Sequence, residues 1–223
     1  IVAIKLDEDD DLMGVVLSNG EQEIMLASSG GKAISFAETD ARPMGRSTRG
    51  VTGMRMPDGD TVISMTLVAD RASLLAVSEN GFGKRTSVDE YACQKRGGQG
   101  VFTLKTGGRT GAMIAALQVI DEDQVMMMTD TGRLVRIRMN GVSVIGRNTQ
   151  GVILIDCTAK ERVIGAVRVV EKQEDEEFEG GFEGVFVSPS AYDEVCWNKH
   201  EFPTEIEEQQ IGCDENSNQP YSE

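Results

Sequence analysis

The sequence predicts an all-β fold of repeated four-stranded blades followed by an acidic tail, on three observations. The first is a period of about fifty residues, because similar apolar segments start at Ile1, Val51, Val101 and Val152. The second is that apolar residues come in short runs bounded by Gly, Asp and Asn, which is typical of strands. The third is an abrupt change in charge near residue 170.

Each repeat unit ends in a cation-bearing loop that finishes with glycine. These segments read MGRSTRG up to Gly50, QKRGGQG up to Gly100 and IGRNTQG up to Gly151. We call residues 44–50, 94–100 and 145–151 the closing loops. Their recurrence at the same place in each unit indicates a shared structural or binding role.

Within the first unit, four strands are predicted, from Ile1 to Leu6, Met13 to Ser18, Glu23 to Ser28 and Lys32 to Phe36. The third and fourth strands of every unit are joined by glycine-containing turns, in which glycine supplies the positive φ that a tight hairpin requires. Four short strands per unit describe radially arranged blades, as in propellers. Three units and part of a fourth do not easily close a ring, so we expect further blades upstream or an open assembly.

The charge distribution divides the chain into two parts. Residues 1–170, the predicted partial disc of three repeats and part of a fourth, hold 20 Lys and Arg against 21 Asp and Glu. Residues 171–223 hold 2 against 16, so we expect an acidic, flexible tail, which either competes with other anions for cationic surfaces or only keeps the protein in solution. The net charge of −15 therefore reflects the tail and does not exclude nucleic acid as a partner of residues 1–170.

Catalytic and metal-binding patterns are missing from the sequence. The one histidine, His200, lies in the acidic tail, and no Gly-x-x-x-x-Gly-Lys-Ser/Thr phosphate loop is present. Cys93, Cys157, Cys196 and Cys213 show no C-x-x-C spacing, so we expect reduced thiols and no metal site. No apolar run is long enough for a membrane-spanning helix. Because the chain begins with a strand-like pattern and not with Met, we expect it to be a fragment.

The cations recur at equivalent places in the units. In the segment GRLVRIRM, strand alternation places Val135 and Ile137 inward and Arg136 and Arg138 outward. The acids concentrate instead in inter-strand loops at 7–11, 58–60 and 121–123, which leaves one rim of the predicted disc poor in negative charge. A curved cationic rim suits duplex DNA held through its phosphates, with little sequence preference.

We therefore predict a DNA-binding rim. Its predicted residues lie in the closing loops or on and beside fourth strands: Lys32, Arg46, Arg49, Lys84, Arg85, Lys95, Arg96, Arg133, Arg136, Arg138 and Arg147. The competing interpretation is charge on outer strands that only keeps the protein in solution.

Four longer motifs resemble one known family. They are MGRSTRGVTGMR (44–55), NGFGKRTSVDEY (80–91), QVMMMTDTGRLVR (124–136) and GRNTQGVILI (146–155). They resemble the last blades of the C-terminal domain of the DNA gyrase A subunit, from bacterial type IIA topoisomerases, over about residues 1–170. The resemblance implies a β-pinwheel, a propeller-like disc with strands exchanged between blades. It also implies a role in wrapping duplex DNA, which lets the whole enzyme introduce negative supercoils with ATP.

One closing loop is also similar to the family's gyrase A box, Q-R/K-R-G-G-x-G. This box-like loop consists of Gln94, Lys95, Arg96, Gly97, Gly98, Gln99 and Gly100. In the family the box belongs to the first blade, whereas here it closes a later one. Because two cations stand beside glycines that let the backbone approach a phosphate, we expect this loop to contact DNA.

The resemblance further implies that the nucleophilic tyrosine, the metal site and the ATP and Mg sites lie in other domains. We therefore expect no catalytic residue, metal or cofactor in this segment. The expected partners are double-stranded DNA, the remainder of the gyrase A subunit and the gyrase B subunit, in a cytoplasmic assembly of two A and two B subunits. The alternatives are the corresponding domain of topoisomerase IV, a protein-interaction propeller and, more remotely, an enzyme on a propeller scaffold.

Overall fold

A computed structural model of the chain describes residues 2–8 and 10–169; the predicted acidic tail, residues 171–223, lies outside the described residues. This part of the chain is built from short strands, as predicted. The strands are β1 (Glu23–Ser28), β2 (Lys32–Ala37), β3 (Val62–Leu67), β4 (Ser73–Ser78), β5 (Phe82–Ser87), β6 (Cys93–Gln94), β7 (Val101–Phe102), β8 (Met113–Val119), β9 (Gln124–Thr129), β10 (Leu134–Arg138), β11 (Val152–Ile153) and β12 (Val163–Val169). Single turns of 3-10 helix follow β2, β5 and β10: Glu38–Asp40, Val88–Glu90 and Met139–Gly141.

Three antiparallel hairpins form the framework: β1 with β2, β4 with β5, and β9 with β10. Their turns carry glycines with φ of 81° at Gly31, 80° at Gly81 and 82° at Gly132. The hairpins predicted from the glycine-containing turns are thus confirmed, because a left-handed backbone at this position is easy only for glycine.

Each hairpin becomes a blade by taking strands from the units that follow it. The strand orders are β3-β1-β2 in the first blade, β8-β4-β5-β11 in the second and β12-β9-β10 in the third. In the first blade, β2 also pairs with β6 in parallel and with β7 antiparallel. The chain therefore leaves one blade, runs along the outer strand of the preceding blade, and returns. This is the exchange of strands that the resemblance implies.

The first two strands predicted for the first unit are wrong. Residues 2–6 and 13–18 carry the same pattern as later strands but form none. In the later units, β3 and β8 pair with the hairpin of the preceding unit. The described part of the chain contains no hairpin before β1, so residues 13–18 have no ladder to join, and Val15 and Leu17 stay exposed.

The hydrophobic core lies between neighbouring blades. One cluster joins Leu75 and Val77 of β4 to Val125 and Met127 of β9, and another joins the β1 side chains to those of β4. Both faces of the second blade are consequently covered. This arrangement decides which of the predicted rim cations reach solvent.

Candidate nucleic-acid interface

Two of the closing loops, 94–100 and 145–151, lie where a blade is held to its predecessor. Loop 94–100 is fixed on both sides by β2, because β6 pairs with Ser35 and Phe36 and β7 pairs with Lys32 and Ala33. Loop 145–151 is fixed in the same way by the second blade, through a Val144–Arg85 bridge and through β11. Each loop is thus presented at the junction between two blades.

In the box-like loop, Lys95 and Arg96 have different environments. Lys95 and Gln99 are exposed. Arg96 is half-buried, and its Nε and Nη1 donate to the carbonyls of Asp40 (2.8 Å) and Thr52 (3.0 Å). The Gly97 N–H donates to the Gly53 carbonyl at 2.6 Å. Arg96 therefore holds the loop on the first blade, while Lys95 presents its charge to solvent.

Arg147 occupies the position of Arg96 in the next closing loop and is tied down in the same way. Its backbone N–H lies 3.3 Å from Glu90 Oε2, its Nε lies 3.6 Å from the same oxygen, and its guanidinium is 5.9 Å from the ring of Tyr91. Asp40 and Glu90 each end a 3-10 helix. An acidic or carbonyl group at the end of each helix thus anchors the arginine of the following closing loop.

Arg46 and Arg49, in the first closing loop, are exposed. Arg49 pairs with Asp7 at 2.8 Å, and both side chains are more than half exposed, so this ion pair contributes little to stability. Lys32 is half-buried and lies 5.4 Å from the centre of the Phe102 ring, its cross-strand neighbour.

The structure contradicts the placement of Lys84 and Arg85 on a solvent-facing rim. Lys84 is fully buried, and its Nζ donates to the carbonyls of Gly146 (2.7 Å) and Arg147. Arg85 is 3% exposed and donates to the Met139 carbonyl at 2.5 Å and to Asp121 at 2.6 Å. The alternation is correct, but both faces of this blade are covered: one by the closing loop and the other by the third blade.

On the third blade the alternation holds, and Arg136 and Arg138 are exposed while Val135 and Ile137 are half-buried. Arg136 is the counterpart of Arg85, but within residues 2–8 and 10–169 no further blade packs on this face, and the side chain is exposed. Arg133 is exposed as well but pairs with Glu161 at 2.9 Å. These three arginines therefore lie on the end face of the described blades.

Glu161 is an acidic residue whose carboxylate is engaged inside the protein. The carboxylate is buried and faces the turn of the third hairpin, where Thr131 donates to it at 3.0 Å. Burial alone would raise the pKa of Glu161, but hydrogen bonds from Thr129, the Thr158 N–H and Thr131, together with Arg133, lower it. Asp60 binds the first hairpin turn in the same manner, through Ser28, Ser29 and the Gly30 N–H.

Lys84 gives a pH-dependent prediction. Burial lowers the pKa of Lys84 from 10.5 to about 8; Glu90 opposes this shift and Arg147 adds to it. Between these pH values the unfolded chain binds a proton that the folded chain releases, so raising the pH favours the folded state. The stability of the wild type relative to Lys84→Met, which cannot titrate, should increase by on the order of 1–3 kcal/mol across this window. Urea unfolding at a series of pH values measures it, and a constant or falling difference would contradict the assignment.

Sequence reasoning missed three exposed cations that lie beside the closing loops: Lys5, Arg55 and Lys105. Each is the fifth residue of a repeat start, in IVAIKL, VTGMRM and VFTLKT. Alignment of the repeats shows this recurring cation, but its position lies outside the closing loops and fourth strands from which the rim is predicted.

Among residues 2–8 and 10–169, no three His, Cys, Asp or Glu side chains come together in a way that could hold a metal ion. In the same part of the chain, no helix is long and apolar enough to cross a membrane. The described surface carries recurring, solvent-exposed cations in and beside the closing loops.

The repeats match the family model described as DNA gyrase C-terminal domain, beta-propeller, at residues 22–69, 72–120 and 123–169. The DNA gyrase A subunit of Salmonella typhimurium is 45% identical over 179 residues, and that of Mycolicibacterium smegmatis is 39% identical over 176. These matches cover 80% and 78% of this chain. The chain spans only about a fifth of the length of these relatives, 20% and 21%.

Solved structures agree with the sequence matches. A DNA gyrase A C-terminal domain superposes with a TM-score of 0.69 at 25% identity, covering 76% of this chain and 58% of the other. The C-terminal domain of a DNA topoisomerase IV gives a TM-score of 0.71 at 25% identity, covering 75% and 52%. With the repeats, the hairpins and the exchanged strands all accounted for, the chain belongs to the family of DNA gyrase C-terminal beta-propeller domains.

Proposed function

We propose that this domain binds duplex DNA along its closing loops and bends it around the outer edge of the blades, without catalysing a reaction itself. The observation that carries the proposal is the repetition of exposed cations in successive closing loops: Arg46 and Arg49 in one and Lys95 in the next. Cations repeated along a curved surface match the regular spacing of phosphates along a bent duplex.

The wider role that we propose is that of DNA gyrase, with this domain as part of its A-type chain. Wrapping with a defined hand would deliver a DNA segment to catalytic domains elsewhere in the protein and support ATP-dependent negative supercoiling. The partners would be the B subunit together with the remainder of the A-type chain, in the cytoplasm. The 45% identity to a relative of that kind supports this proposal. The topoisomerase IV counterpart is the second candidate, favoured by the equally good superposition at a TM-score of 0.71.

Duplex binding should depend steeply on salt. If about eight phosphates are contacted, the slope of log affinity against log salt concentration should be roughly −7, because each contact releases about 0.9 of a counterion. Fluorescence anisotropy with a labelled duplex at several salt concentrations measures the slope. A slope near zero would rule out binding through phosphates and would favour the protein-interaction alternative.

Wrapping is tested separately from binding. Ligation of a nicked circular DNA in the presence of the protein traps a change in linking number when the duplex is wrapped with a consistent hand. We expect a shift that grows with protein concentration. A chain that binds with a steep salt slope but leaves the linking number unchanged would be a DNA-binding domain that does not wrap.

A further inference from the structure

Three exposed cations recur at one position of the repeat but outside the closing loops. Lys5, Arg55 and Lys105 are each the fifth residue of a repeat start, about fifty residues apart. All three side chains are exposed, and none of them forms an ion pair within the described part of the chain. They are absent from the rim that the sequence predicts.

The backbone fixes each of these cations against the closing loop of its own unit. The N–H of Lys5 donates to the carbonyl of Thr48 at 3.1 Å, and the N–H of Arg55 donates to that of Gly98 at 2.8 Å. The N–H of Lys105 donates to the carbonyl of Thr149 at 2.9 Å. The three acceptors occupy the same position in the three closing loops. The same contact therefore forms in all three units and places each cation beside the closing loop that ends its unit.

These cations add charge where the arginines of the loops are engaged with protein. In the second closing loop Arg96 binds two carbonyls, and in the third Arg147 pairs with Glu90. Beside the third closing loop, Lys105 consequently presents its charge to solvent. Beside the second closing loop, Arg55 joins Lys95.

We propose that Lys5, Arg55 and Lys105 contact the phosphates of duplex DNA, one beside each closing loop, as a second row of cations. This inference rests on the proposed DNA binding. The chemistry fits, because exposed ammonium and guanidinium groups on a fixed backbone bind phosphates without reading bases. Because each of them holds the same place beside the closing loop of its unit, a duplex that follows the closing loops would meet them in turn.

Alanine variants of the three cations test the proposal. Because each residue is held through its backbone N–H, a change to alanine removes the charge and leaves the contact with the closing loop in place. The variant Lys5→Ala/Arg55→Ala/Lys105→Ala, in the complete 223-residue chain, should keep the thermal unfolding transition of the wild type. A second variant, Lys5→Arg/Arg55→Lys/Lys105→Arg, keeps the charge.

Binding of a labelled duplex across a salt series gives the readout. We expect the triple alanine variant to show a log–log slope smaller in magnitude by about 2.7, since three contacts each account for about 0.9. The corresponding loss of affinity is on the order of 10²-fold at about 0.1 M salt. The charge-retaining variant should bind like the wild type.

A matched control removes exposed cations from turns outside the closing loops. Arg71→Asn/Lys160→Ala does this, and asparagine tolerates the positive φ of 61° at residue 71. The control should leave the slope within about 0.5 of the wild type on the same counterion argument. An equal loss per charge in the control would overturn the inference, because it would show an effect of net charge alone.

Two further outcomes distinguish a failure of this inference from a failure of the proposed function. If the wild type binds steeply and the triple alanine variant keeps both its slope and its affinity, the inference is overturned and the proposed function stands. If the wild type does not bind duplex DNA at all, the proposed function fails and the inference fails with it.

Discussion

Replacing Gly100 or Gly151 by alanine should destabilise the domain by about 3 kcal/mol or more, whereas the same change at Gly50 should cost about 1 kcal/mol. The three glycines end the three closing loops and have similar backbones, with φ of 66°, 75° and 83°. The strain of placing a side chain at positive φ is therefore shared by all three variants.

The difference between these glycines is the space around them. A Cβ atom at Gly100 would lie 2.4 Å from the carbonyl oxygen of Ala33, and one at Gly151 would lie 2.4 Å from that of Gly83. At Gly50 the nearest atom would be the Cδ1 of Ile4, at 3.9 Å. In the first two cases the clash is with backbone of the preceding blade, which cannot move without disturbing its strand.

Urea unfolding of the three single variants measures the prediction, with Gly50→Ala as the internal control for backbone strain. Equal losses at all three positions would show that the close approach of loop and blade is unimportant. The result also bears on the box-like loop. Gly100 is required by packing on Ala33, so reduced DNA binding in Gly100→Ala would report a displaced loop and not a lost phosphate contact.

Much of the fold could be predicted because its signals are local. The apolar runs and the glycine turns each lie within a short stretch of sequence and recur about every fifty residues, and the structure confirms both the repeat and the turns. Strand exchange leaves no such signal, since β6 and β11 are each two residues long and show no periodicity. Residues 13–18 likewise carry the pattern of β3 but form no strand, because strand formation also depends on pairing with a hairpin elsewhere in the chain.

The exposure of the predicted rim cations follows from the sequence less completely than the fold does, because charge does not reveal what covers a strand. Arg136 and Arg138 are exposed as alternation predicts, whereas Lys84 is buried. Comparison between units could have identified Lys84, since the equivalent positions hold Ile34 and Val135. A cation that replaces aliphatic residues in a repeat indicates a structural role.

Arg85 and Arg136 occupy equivalent positions in neighbouring blades, but we expect their replacement to change the stability of the domain by very different amounts. We expect Arg85→Ala to lower the free energy of unfolding by about 3 kcal/mol and Arg136→Ala by less than about 1 kcal/mol. Arg85 is 3% exposed and donates to the buried Met139 carbonyl at 2.5 Å and, at a longer 3.4 Å, to that of Val142. Arg136 is exposed on the end face of the third blade.

The expected loss at Arg85 comes mainly from the carbonyls and less from its ion pair. Asp121 is 70% exposed and can be rehydrated when its partner is removed, so that pair contributes little. The Met139 carbonyl, in contrast, loses a charged donor where the third blade packs on the second, and the truncated side chain leaves space. The unpartnered Nε of Arg85 offsets a small part of this loss. Thermal and urea unfolding of both variants measure the difference. Equal, small losses would show that Arg85 does not join the two blades, whereas a large loss confined to Arg85 would establish that one repeat position holds the next blade in place.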